Sequence, residues 1–123
     1  MPRFVQPTLA PFAVLAAATA LIPAAHAATD PTFASVCSAC HTVAAGQAGA
    51  AAPNLRGVVG RKAGSTAFAY SAALKKSNLT WTKANLDTFL QGPMKMVPGT
   101  RMFMSVPDKA KRTALINWLA TQS

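Results

Sequence analysis

The run Cys37-Ser38-Ala39-Cys40-His41 is a C-x-x-C-H box, the arrangement that fixes a c-type haem to a polypeptide. Two thiols three residues apart can each add to one of the haem's two vinyl groups, and the adjacent imidazole then lies beneath the iron as its proximal ligand. Other uses of C-x-x-C fit this chain poorly. Zinc takes four ligands, and the sequence offers two cysteines and two histidines, of which His26 lies in a segment expected to be removed. A dithiol oxidoreductase would set the box near a βαβ pattern, and no strand-rich Val/Ile alternation surrounds this one.

Arg3, the apolar stretch from Leu9 to Ile22 and the exit Ala25-His26-Ala27 read as a signal peptide over residues 1–27, with cleavage after Ala27. The alternative is an uncleaved membrane anchor, since the apolar stretch approaches the length that spans a bilayer. Pro11, Pro23 and the small-residue exit favour removal. Haem is attached to such boxes outside the bacterial cytoplasm, so a periplasmic location is expected, with no stable membrane insertion once the leader is gone. Residues 28–123 then form one small domain of 96 residues, whose thin core a large apolar cofactor would fill.

Twelve Lys and Arg stand against three acids, and loss of Arg3 leaves eleven against three, a formal +8. A domain so basic attracts acidic partners. No nucleic-acid motif accompanies the charge, so docking to an acidic patch on a redox protein, steered over a Debye length and weakened by salt, is the expected use.

Thr29-Asp30-Pro31 reads as a helix start, with the capping oxygen at Thr29 or Asp30 and Pro31 at the first helical position. Phe33, Val36, Cys37 and Cys40 follow at i, i+3, i+4 and i+7, one helical face ending on the box. From Ala44 to Gly60 the glycines and Pro53 spell a loop. Tyr70 to Lys76 suits about two helical turns. Thr82 caps a second helix with Leu86, Phe89 and Leu90 as its stripe and Gly92-Pro93 as its stop. A loop through Met102 leads to a last helix from Pro107, with Ala110, Ala114, Leu115, Trp118 and Leu119 on the dry face and Lys109, Lys111 and Arg112 on the wet one. Helices and glycine loops without a strand candidate give an all-α architecture.

An electron-carrying haem iron needs a sixth donor, and no histidine follows His41. The thioethers available are Met94, Met96, Met102 and Met104, clustered far enough along the chain to reach the other haem face. A lone methionine is more often core filler, but these fall in a Pro/Gly loop with no helical period to follow. Met102 comes directly after Pro98-Gly99-Thr100-Arg101, a rigid turn able to hold one sulfur in place.

The blocks Cys37-Ser38-Ala39-Cys40-His41-Thr42, Pro53-Asn54-Leu55-Arg56-Gly57-Val58-Val59-Gly60-Arg61-Lys62, Leu79-Thr80-Trp81 and Val97-Pro98-Gly99-Thr100-Arg101-Met102 resemble consecutive blocks of class I cytochrome c, of the mitochondrial and bacterial short-chain type. The resemblance covers nearly all of the chain after the leader. It implies a small cytochrome c fold around one haem c, with His41 as proximal and Met102 as distal ligand of the iron. By the same likeness, the Pro53 carbonyl accepts from the His41 ring, Leu55 packs on the haem, and Arg61, Tyr70 and Trp81 reach its propionates. Thr100 is expected to support the methionine loop and the inner propionate. Phe89 stands where many members have a tyrosine, Leu74 where an asparagine is frequent, Thr29 where a small glycine is usual and Trp118 where a tyrosine is usual. Loss of two pocket dipoles implies an altered potential, and Phe33 with Trp118 is expected to fill the crossing of the first and last helices. Met104, where an aromatic is usual near the haem edge, is expected to touch partners.

The function expected is a one-electron carrier, monomeric and not an enzyme, because an iron with both axial positions filled has no place for substrate. Lys62, Lys95 and Arg101 are expected in the docking rim. The resemblance implies a quinol-cytochrome c oxidoreductase as donor, and a terminal oxidase or photosynthetic reaction centre as acceptor. Two alternatives are a haem partner or subunit dedicated to one periplasmic dehydrogenase or reductase, and a peroxidase-like or ligand-binding haem protein with a loose Met102.

Overall fold

The computed structural model describes residues 1–3 and 28–123; the bulk of the expected signal peptide, residues 4–27, lies outside the described residues. In the rest, four α-helices and one π-wound turn alternate with glycine-rich loops. The helices are α1 (Ala72–Lys76), α2 (Lys83–Gln91), α3 (Pro93–Met96) and α4 (Lys109–Ala120), preceded by the π-wound turn Phe33–Cys37. Among the described residues β-pairing is confined to one antiparallel bridge between Lys62 and Thr80. The all-α reading holds.

Helix starts follow local chemistry. The Asp30 carboxylate accepts from the N–H groups of Thr32 and Phe33 at 2.8 and 3.1 Å, which makes Asp30, rather than Thr29, the first cap. Ser71, Thr82 and Asp108 cap α1, α2 and α4 by accepting from Leu74, Asn85 and Lys111. α1 is two residues shorter than the expected span, and Tyr70 lies before its Ser71 cap.

Three expectations are corrected. The first helix is not α-wound: the Ser38 hydroxyl donates to the Ala34 carbonyl at 2.7 Å, while the Ser38 N–H reaches back five residues to Phe33 at 2.9 Å. Serine hydroxyls that bond back one turn compete with the backbone ladder, and the winding loosens. α2 does stop at Gly92-Pro93 as expected, but a short helix replaces the start of the loop: Pro93 opens α3, where its missing N–H costs nothing, so Met94 and Met96 are helical rather than in a loop. The dry face of α4 is rotated: Ala110 and Ala114 are exposed, whereas Arg112, Leu115, Ile116 and Leu119 are buried. Those four fall at i, i+3, i+4 and i+7, a better helical stripe than the expected set.

Arg112 is therefore a core residue, 5% exposed, and its charge is answered on three sides. Nε donates to Asp87 at 2.8 Å, and Nη1 donates to the carbonyls of Val106 and Pro107 at 3.0 and 2.7 Å. This group ties α4 to α2 and to the segment that follows Met102. Around it α2 and α4 pack Leu86, Phe89 and Leu90 with Leu115, Ile116 and Leu119. The Phe33 and Trp118 rings meet at 4.9 Å, joining the π-wound turn to α4 as the residue volumes suggested. Thr29 is exposed.

Candidate functional site

The π-wound turn, the Ala44–Gly60 loop, α1, α2 and the segment after Val97 leave a cavity of about 330 Å³ between them. Cys37, Cys40 and His41 line it together with Met102 and Met104 from the far end of the sequence. All ten residues named from the sequence, namely Cys37, Cys40, His41, Pro53, Leu55, Arg61, Tyr70, Trp81, Thr100 and Met102, border this one space. The remaining wall is mostly apolar, including Val58, Leu86, Phe89 and Leu115.

His41 is fixed by a loop contact twelve residues away. Its Nδ1 lies 2.7 Å from the Pro53 carbonyl. A carbonyl only accepts, so Nδ1 carries the proton and Nε2 presents its lone pair. Burial pushes the imidazole below its ordinary pKa of 6.5, and the Pro53 bond opposes this only in part. The neutral, metal-binding tautomer is thereby favoured.

The loop that supplies Pro53 is knitted by Asn54. Its amide donates to the carbonyls of Ala44 and Gln47, both at 2.7 Å, and its carbonyl oxygen accepts from Arg56 N–H at 2.7 Å. The sequence reading gave Asn54 no role; an asparagine directly after proline in a glycine-rich loop was the available signal.

The two cysteines are not joined to each other. Cys37 is half-buried, and burial first, then the Asp30 carboxylate, push its thiol up to about 11. Cys40 is exposed.

Opposite the box, Val97-Pro98-Gly99-Thr100 forms a turn closed by Thr100 N–H donating to the Val97 carbonyl at 3.0 Å. Proline at the second position and Gly99 at φ +91° at the third fit a type II turn. Thr100 is buried, and its hydroxyl oxygen accepts from Met102 N–H at 3.5 Å. Met102 packs on the core. Of the other methionines, Met94 and Met96 do not line the cavity, whereas Met104 does.

The polar groups on the rim are already partly engaged. Arg61 donates to the carbonyls of Arg56 and Asn54 at 2.9 and 3.0 Å, which uses two of five N–H donors. The Tyr70 hydroxyl pairs with Thr66 at 2.5 Å. Trp81 is held by backbone bonds to Gly60 and Arg61, each 2.8 Å, and its ring meets Phe89 at 4.8 Å. Phe68 and Ser71 also line the cavity and were not singled out in the sequence. Lys62, Lys95 and Arg101 are exposed, and Arg101 alone of the three reaches the cavity wall.

Residues 30–123 match the family model for cytochrome c. The chain belongs to the cytochrome c family. It is 42% identical over 86 residues to cytochrome c2 of Rhodoblastus acidophilus, covering 68% of this chain and 80% of that one. It is 40% identical over 116 residues to cytochrome c2 of Rhodomicrobium vannielii, covering 89% and 93%. Cytochrome c of Tetrahymena pyriformis is 48% identical over 88 residues, 71% of this chain and 79% of the relative. Among solved structures, cytochrome cH from Methylobacterium extorquens superposes with a TM-score of 0.67 at 44% identity, covering 73% of this chain and 91% of that one.

As a class I cytochrome c the protein carries covalently attached haem c and serves as an electron carrier rather than an enzyme. The donor set fits that group: two unbridged thiols, an imidazole with Nε2 free, a thioether across the same space and an apolar shell.

Proposed function

We propose that this cytochrome c is a periplasmic one-electron shuttle whose iron is held by His41 and Met102. Residues 1–27 act as the export signal and residues 28–123 as the monohaem domain. The observation that carries the reading is the His41–Pro53 bond of 2.7 Å facing Met102 across one apolar cavity. The haem supplies a reversible one-electron couple, and ligation by histidine and methionine sets it towards high potential.

The chain's own residues then do three things. Pro53 orients the imidazole and strengthens it as a donor. Thr100 and the Val97–Thr100 turn present the Met102 sulfur. Leu55, Val58, Leu86, Phe89, Leu90 and Leu115 exclude water, which disfavours net charge at the metal. Arg61, Tyr70 and Trp81, which line the cavity, would answer the propionates, because a buried carboxylate needs donors. Phe89, buried and without a hydroxyl, cannot hydrogen-bond the ligand sulfur as a tyrosine there would.

The formal charge of +8 left once Arg3 is removed with the signal suits brief encounters with acidic redox proteins, a quinol-cytochrome c oxidoreductase on one side and a terminal oxidase or reaction centre on the other. Such contacts are small and salt-sensitive. Among the described residues no helix is long and apolar enough to cross a membrane.

The test is a visible spectrum and redox titration of the protein purified from periplasm, with the mass of the intact chain. A mass for residues 28–123 plus one haem, a far-red sulfur-to-iron absorption in the ferric state and its shift or loss in Met102→Leu support the reading; an unchanged absorption in that variant takes Met102 off the iron. A colourless chain of unmodified mass overturns it.

A further inference from the structure

The cavity holds one more ligand than a carrier with His41 and Met102 needs. Met104 lines the same cavity as Met102, yet it takes no part in the apolar core and is 46% exposed. Phe103 between them stands at the rim, 77% exposed. In a stretch that is neither helix nor turn, side chains two apart share a side, at a spacing of about 7 Å. A methionine side chain has three rotatable bonds and a soft, adaptable sulfur, so two such residues can bring their sulfurs to one point from neighbouring positions.

The backbone allows the necessary shift. Thr100 and Val106 are pinned by N–H bonds to the Val97 and Leu90 carbonyls at 3.0 and 2.7 Å. Between those pins, among the described residues, the only backbone N–H bond is the 3.5 Å contact from Met102 to the Thr100 hydroxyl, and the one side-chain tie is the Arg101 guanidinium donating to the Ala69 carbonyl, on the near side of Met102. The lining also narrows the competition: among the described residues no lysine and no second histidine borders the cavity.

We propose that Met104 is a reserve axial ligand, which takes the distal position of the iron whenever the Met102 sulfur leaves it. The exchange breaks one iron–thioether bond and forms another, with no proton or electron moved. It keeps the ligand set thioether–imidazole and closes the iron to small molecules. The proposal rests on Met102 being the resting distal ligand.

The experiment compares holoprotein variants Met102→Leu, Met104→Leu and the double variant, leucine being chosen to conserve core volume. Two readouts are taken, the far-red sulfur absorption of the ferric form and the rate of carbon monoxide binding to the ferrous form. Met102→Leu is expected to retain a shifted sulfur absorption that the double variant lacks, and to bind carbon monoxide at least tenfold more slowly than the double variant. Loss of that absorption in Met102→Leu, with binding as fast as in the double variant, overturns the proposal and leaves Met102 as the ligand.

Loss of the absorption in Met104→Leu alone would instead show that Met104 holds the iron at rest, and both readings would fall. Should Met102→Leu not fold, Met104→Leu decides the matter. Capture of the vacated iron by Met104 slows carbon monoxide entry in the parent, so removing it raises the binding rate about threefold or more; an unchanged rate overturns the proposal.

Discussion

Arg112 Nε donates to Asp87 Oδ1 across a 2.8 Å ion pair that links α4 to α2, with the Arg112 side chain 6% exposed and that of Asp87 34% exposed. The same guanidinium holds the Val106 and Pro107 carbonyls, four and five residues beyond Met102. Helix packing and the exit of the methionine segment therefore share one cation.

Replacing Arg112 by methionine keeps bulk but leaves the Val106 and Pro107 carbonyls without their guanidinium donor, while Asp87 keeps its Gln91 bond. A loss of about 2–4 kcal/mol of stability is expected, read as a lower denaturant midpoint. Faster carbon monoxide binding to the reduced protein should accompany it, because Val106 anchors the segment's far end through Leu90. Asp87→Asn should lower the midpoint less, since Arg112 keeps its bonds to the two carbonyls.

Acid should find Asp87 next. The Arg112 hydrogen bond, aided by its charge, by Gln91 and by Lys109, holds this carboxyl below its ordinary value of 3.8 despite some desolvation. With the folded pKa the lower one, the unfolded chain takes up the proton first as pH falls. The stability from this carboxylate is thus complete above 3.8 and drains away as pH drops through the folded value. Denaturant midpoints of the parent and Asp87→Asn, measured at about pH 6 and about pH 3, should differ more at the first pH than at the second.

Gly99→Ala strains the turn that presents Met102. The backbone sits at φ +91°, and an added Cβ would stand 3.1 Å from the Cβ of Ala73. A cost of about 1–2 kcal/mol is expected. Denaturant unfolding checks it, and a weakened sulfur absorption would show the strain reaching the ligand.

In the haem-free chain the two thiols should differ. Cys40 is exposed, whereas Cys37, at about 11 against an ordinary 9.0, holds about a hundredfold less thiolate than an unshifted thiol at neutral pH. Iodoacetamide followed by peptide mass mapping should label Cys40 first. Asp30→Asn should speed labelling of Cys37 modestly, because burial rather than the carboxylate is the larger cause.

Signals confined to a few residues were legible in the sequence. The box, the Thr82 cap of α2 and the Pro98-Gly99 turn each depend on neighbours within about four positions, and each stands where expected. The ten site residues converged on one cavity because the likeness to cytochrome c carried their long-range order, which spacing by itself could not.

What the residue string determined was the chemistry: two thiols, one imidazole and a set of thioethers, separated by helices and turns. Packing decided where each charge and sulfur went. Arg112 looked like a solvent-facing cation because its flanks are basic, but it is buried because the segment after Met102 leaves the Val106 and Pro107 carbonyls facing α4 and α2 brings a carboxylate to it. Met104 likewise lines the same cavity as Met102, in a segment between Thr100 and Val106 that runs without helix or turn. A side chain's partner is fixed by which backbone groups remain unpaired after the elements have docked, and that is a property of the assembled core.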